Sequence, residues 1–137
     1  MKRIATTALI GTALVLVLVV GSCTLGVSVE DRLDSFLADL NTPGRADIYL
    51  NFHPTETADY AAIQSGSPPP AGPDWDALFE EVAIPFHYEN LDPSNTEAVT
   101  ANVVGTAFSK SVVFKMALDG MDWQIEELTV NGSLEIQ

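Results

Sequence analysis

Two histidines, one cysteine and a thin scatter of acids among aromatic residues carry whatever chemistry this sequence has. His53 lies three positions before Glu56, and His87 lies two before Glu89. A histidine beside a carboxylate suits proton transfer or metal ligation, because imidazole changes charge near neutrality and the acid can orient it. Nothing in the spacing brings the two histidines together. Each is therefore expected as a hydrogen-bonded histidine at the edge of a core. No residue is assigned as catalytic, no metal ligand is assigned, and no cofactor is implied.

The aromatics offer a second chemistry. Tyr49, Tyr60, Trp75, Phe79, Tyr88 and Trp123, with His53, could line a cavity. Rings and phenol hydroxyls suit a small apolar ligand. Aromatics at helix or strand period more often pack a core. An isomerase-type reaction would need a buried acid facing a Tyr hydroxyl. Asp47 and Asp59 adjoin the relevant tyrosines, but helical spacing turns both to solvent. Asp119 with Asp122, and Asp92 with Glu97, bracket turns. Carboxylates at loops can hold Ca²⁺, yet these lack the ligand density of a dedicated site, and turn chemistry explains them. Asn131-Gly132-Ser133 matches a glycosylation acceptor and is given little weight. The sequence has no phosphate-binding glycine loop, metalloprotease histidine pair, nucleophile-elbow serine or zinc-type cysteine pair.

The lone cysteine has a position that explains it. Lys2-Arg3 is a short positive start, and Ala8 to Val20 is an apolar stretch of 13 residues. Val20-Gly21-Ser22-Cys23 then resembles the lipobox of bacterial lipoproteins. In that family a peptidase cuts before the cysteine, whose thiol carries diacylglycerol; palmitate is a typical acyl chain. The resemblance implies a signal peptide over residues 1–22, lipid on Cys23, and a tether over 23–27. It places the protein in the cell envelope, lipid-anchored and extracytoplasmic. Thr24 after the cysteine permits an outer-membrane destination. Each buried methylene contributes about 0.8 kcal/mol, so two or three acyl chains hold stably where one holds marginally. The alternative is an uncleaved helix, since Ile4 to Val29 carries no charge and is long enough to span a bilayer.

Removing 22 residues from 137 leaves 115, enough for one domain with one core. That part keeps four basic residues (Arg32, Arg45, Lys110, Lys115) and all 19 acids, a net charge of −15. Such a surface repels phosphate backbones and excludes nucleic acid as a partner. It also repels anionic headgroups, so membrane contact is expected from the lipid on Cys23 alone. Few lysines with many acids suit a salt-rich medium, where counterions screen self-repulsion.

These residues are positioned by helices first and strands second. Ser28 is a plausible N-cap with Asp31 three residues on, and Val29, Leu33, Phe36, Leu37 and Leu40 form one apolar stripe. Asn41-Thr42-Pro43-Gly44 ends that helix. A second helix is expected over Arg45 to His53, with Ala46, Tyr49, Leu50 and His53 on one face and Pro54 as its stop. A short helical piece follows near Ala58 to Gln64. Ser65 to Pro73 is a loop by composition. Asp74 caps a third helix through Val82. The period then changes to two. Ile84, Phe86 and Tyr88 alternate, Asp92 to Asn95 turns, and Thr96 to Ser109 reads as one long strand with Gly105 inside it. Val112, Phe114, Met116 and Leu118 alternate into an Asp119-Gly120 hairpin. Trp123 and Ile125 begin a last strand to about Val130, with a bulge expected at Glu126-Glu127.

This order is α+β, with N-terminal helices on one face of a curved antiparallel sheet. It resembles the NTF2-like (cystatin-like) superfamily, in particular the small lipoprotein domains of the lumazine-binding-like type. Phe36 to Leu40 with Ala46 to Tyr49 is similar to that family's opening helices, and Trp75 to Phe79 to its third. Val112-Phe114, Asp119-Gly120 and Trp123-Gln124-Ile125 with Leu128 are similar to its terminal hairpin, with Asp122 as an extra residue. The resemblance implies a domain over residues 28–137 with a cavity between sheet and helices. Three functions follow: a non-catalytic envelope lipoprotein binding a small apolar ligand or a protein; an isomerase- or cyclase-type enzyme in the same cavity; or a structural lipoprotein with no pocket. A homodimer is among the expectations, as relatives often pair through an exposed sheet face.

Overall fold

The computed structural model describes residues 26–79, 85–106 and 108–137. The expected signal peptide, Cys23 and the expected ends of the third helix and first strand, at Val82 and Ile84, lie outside the described residues.

The chain folds as α+β. Helix α1 spans Val29–Leu40, capped by Ser28, whose hydroxyl accepts from the Asp31 amide at 3.1 Å. An oxygen there satisfies one of the four amides that a helix start leaves without a partner. Val29, Leu33, Phe36 and Leu40 are buried, so the stripe read from spacing is the buried face. Asn41 closes α1 and uses its side-chain amide as a strand would. It donates to the Phe86 carbonyl at 3.1 Å and accepts from the Phe86 amide at 2.7 Å.

The expected second helix is not α-helical. A single 3-10 turn covers Ile48–Asn51, and Phe52 is already extended. Leu50, placed on a core face by helical spacing, is 51 % exposed, while Ile48, Asn51 and Phe52 are buried. The stretch is short and lies between Gly44 and Pro54, so it does not repay helix nucleation. It joins the sheet instead: Phe52 makes a parallel bridge to Ile125, and the His53 amide donates to the Ile125 carbonyl at 2.8 Å. Helices α2 (Tyr60–Gln64) and α3 (Trp75–Phe79) are single short pieces. Asp74 caps α3 through the Ala77 amide at 2.9 Å.

Five antiparallel strands follow in chain order: β1 (His87–Asp92), β2 (Val99–Val104), β3 (Ser109–Asp119), β4 (Asp122–Val130) and β5 (Ser133–Ile136). β2 is shorter than expected. Gly105 lies beyond its end, where the amide donates to the Phe108 carbonyl at 3.1 Å, rather than inside a strand. The bulge is where the broken alternation put it. Lys115 pairs with Glu127 and Met116 with Ile125, so Glu126 is the extra residue. The fifth strand was not foreseen. Asn131 and Gly132 both take positive φ, 49° and 83°, the conformation of a two-residue hairpin loop that reverses β4 into β5.

One face of the sheet packs on the helices. Val99, Ala101, Val103, Val112, Phe114, Met116, Ile125, Leu128 and Val130 are buried beneath α1 and the 3-10 turn. Phe36 meets Phe114 edge-on at 5.6 Å and Phe52 at 5.9 Å. Cutting a ring like Phe114 back to alanine costs about 3–5 kcal/mol in a core that cannot collapse around the gap.

Candidate functional site

His53 is 5 % exposed, on the stretch that leaves the 3-10 turn and runs beside β4. Its Nε2 lies 3.1 Å from the Leu118 carbonyl oxygen. Its Nδ1 faces the backbone amides of Thr55 at 3.3 Å and Glu56 at 3.1 Å. A carbonyl only accepts and an amide only donates. Nε2 is therefore the donor, and the Nδ1 lone pair accepts and caps the turn. Both nitrogens are committed to backbone. Glu56 approaches through its amide, not its carboxylate. His87 is on the exposed side of β1, with Nε2 3.3 Å from Glu89 Oε1. The structure does not bring the two histidines together.

Of the seven residues read as cavity lining, His53 and Phe79 are buried, and the other five are partly buried and packed against the core. Phe79 is fully buried. Trp75 packs on Phe36 at 6.1 Å and on Phe52 at 6.2 Å. Tyr49 and Tyr60 meet edge-on at 6.1 Å. Tyr88 packs on Phe114 at 6.3 Å and donates its hydroxyl to the Leu33 carbonyl at 3.0 Å. Burial, and then the nearby Asp34 carboxylate, pushes the Tyr88 phenol well above its ordinary range, so it stays a neutral donor. Trp123 is half-buried against the same core. Fully buried Phe36, Phe52 and Phe114 fill the interval between helix and sheet. No carboxylate faces a Tyr hydroxyl there among the hydrogen bonds of the described residues. Asn51 is fully buried and donates to Asp39 Oδ2 at 2.7 Å and to the Ile48 carbonyl at 3.1 Å, while its Oδ1, like Gln124 Oε1, has no partner.

Two of the four turn acids, Asp92 and Asp122, accept from backbone amides. Asp92 accepts from the Ser94 amide at 3.0 Å, and the Ser94 hydroxyl, then that amide, hold its carboxyl below the usual range. Asp122 accepts from the Val27 amide at 2.9 Å. Among the described residues no group of three His, Cys, Asp or Glu side chains is placed to hold a metal ion.

The most developed polar junction centres on Arg32, which the charge tally counted but no motif singled out. Arg32 is 9 % exposed on α1. Its Nε donates to the Trp123 carbonyl at 2.9 Å and its Nη1 to the Leu50 carbonyl at 3.1 Å. Burial pulls its guanidinium down, and Asp122 and then Asp39 oppose that shift. On the same side the Trp123 amide donates to the Val27 carbonyl at 3.0 Å. Gly26 lies so close to the next turn that a Cβ would fall on the Met121 carbonyl oxygen. The chain entering the domain is thus fixed to the β3–β4 hairpin. One signal was available: Arg32 is a cation inside an otherwise apolar and acidic helix pattern.

Among the described residues, two depressions adjoin the Pro-rich loop. One, of about 310 Å³, is walled by Pro69, Pro70 and Pro73 and rimmed by Asp59, Asp74 and Glu135. Asp59 is held by the Gln137 amide at 3.0 Å, and Asp74 by its helix cap. The other, of about 150 Å³, lies between Arg45, Ile63 and Trp75. No helix among the described residues is long and apolar enough to cross a membrane. Set beside known proteins, the chain matches no family model, no curated protein and no solved structure.

Proposed function

We propose that this chain is a lipid-anchored, extracytoplasmic envelope lipoprotein, cut before Cys23, whose NTF2-like domain binds a protein partner through its outer surface and performs no catalysis. The leader supports the anchor: a positive start, an apolar run and a lipobox-like Val20-Gly21-Ser22-Cys23 stand in the right order. The order of helices followed by an antiparallel meander supports the NTF2-like reading.

The observation that carries the non-catalytic reading is the filled interior. An isomerase or a binder of small apolar molecules needs open space between helices and sheet, with a buried acid or a free histidine for the enzyme. Phe36, Phe52 and Phe114 occupy that space, and His53 spends both nitrogens on backbone. This favours an outer binding face, or a purely structural role, over either cavity function. Homodimers through the far sheet face find less support, since it carries the charged Lys115–Glu126 pair at 2.8 Å.

Fractionation tests the anchor. The wild-type chain is expected in the membrane fraction and the Cys23→Ser chain in the soluble one. Retention of the variant in membranes points to the uncleaved apolar helix instead.

A further inference from the structure

Five large apolar side chains among the described residues are half or more exposed, and they divide between the two ends of the sheet. Phe108 and Leu134 lie by the β2–β3 and β4–β5 turns. Leu118 (52 %) and Met121 (67 %) lie at the opposite end, on the β3–β4 hairpin. Leu50 (51 %) joins them, because Arg32 ties its carbonyl to that of Trp123, the residue paired with Leu118. Leu118 continues the stripe Val112, Phe114, Met116 and emerges where the helical layer stops.

The chain from the N-terminal apolar segment arrives at this end and no other. Gly26 presses on Met121, and Val27 bonds to Asp122 and Trp123. Only Thr24 and Leu25 separate Cys23 from that fixed point. An extended chain gains at most about 3.6 Å per residue, so the acylated cysteine lies within roughly 11 Å of the hairpin. Apolar faces at an interface sink about 5–10 Å into the headgroup boundary, a comparable distance.

We infer that the β3–β4 hairpin end, through Leu50, Leu118 and Met121, lies against the lipid surface that holds the anchor. This rests on the lipoprotein reading and extends it, because attachment is then by acyl chains and by a protein face together. The surface is a zwitterionic one. Asp119 is exposed at the tip, Asp122 lies beside it, and Asp92 and Glu97 border the neighbouring β1–β2 turn. Anionic headgroups repel that set, whereas phosphatidylcholine does not.

The test uses the full chain, reconstituted from membranes into phosphatidylcholine vesicles containing spin-labelled lipid. A lipidated Cys23 has no free thiol, so Met121→Cys and Phe108→Cys each offer one site for a polarity-sensitive fluorophore. Both positions are exposed, so both chains should fold. The label at 121 is expected to shift to the blue and to be quenched several-fold more than the label at 108. Equal quenching in a chain that floats with the vesicles overturns the inference and leaves the anchor standing. A chain that fails to float overturns the anchor and the inference with it. A label at 121 already shielded in C23S/M121C without lipid means that protein covers the tip, and that also overturns the inference.

Discussion

At the scale of single residues, buried polar groups take their properties from backbone partners distant in sequence. Tyr88 is the case with a pH consequence. Its hydroxyl donates to the Leu33 carbonyl, and burial followed by Asp34 raises its phenol above the ordinary value near 10. A group raised in the folded state contributes stability that is whole below its unfolded value. That stability is lost as pH climbs past it toward the folded one. Unfolding free energy should therefore fall above about pH 10, and Tyr88→Phe should flatten that alkaline limb while costing about 1 kcal/mol at neutral pH for the lost hydrogen bond. Urea midpoints from pH 7 to 11 check this; an unchanged limb in the variant would deny Tyr88 the role. Little of this was legible beforehand. The spacing placed His53 on the core side, which is where it is. Its tautomer depends on Leu118, 65 positions away, and no local pattern carries that information. Arg32 was hidden for the same reason: its acceptors are carbonyls, which every residue has.

At the scale of elements, the sequence was readable wherever a side-chain period was long enough to be unambiguous. The α1 stripe, its Ser28 cap and the β3–β4 hairpin are as expected. So is the bulge, because an extra residue must break strict alternation. The stretch from Arg45 to His53 misled because a few apolar residues fit a helix face and an extended edge alike. Backbone pairing with Ile125 decided it. The missed β5 had a signal in Asn131-Gly132, read instead as a glycosylation acceptor. Gly132 at φ 83° has nothing near its missing Cβ, so a substitution there tests conformation alone. Gly132→Ala should cost about 1 kcal/mol through left-handed strain. It should also speed amide exchange at Leu134 and Ile136, where β5 meets β4; unchanged exchange would argue against the tight loop.

At the scale of the whole molecule, three features bear on one another. Phe36, Phe52 and Phe114 are fully buried between helix and sheet, which supports an outer binding face over a cavity function. That surface is strongly acidic, at −13 for the chain, and keeps phosphate-rich partners away. Three of the five exposed large apolar residues lie at the end where the N-terminal chain arrives. The architecture class was therefore legible, while the state of the interior was not. Whether aromatics line a space or fill it depends on a few ångströms of helix-to-sheet distance that no period encodes. The most direct test of the account is the mass of the N-terminal peptide from the membrane-extracted chain. The account predicts a peptide beginning at Cys23 and carrying diacylglycerol on its thiol. A membrane-bound chain that begins upstream, with Cys23 unmodified, would contradict it.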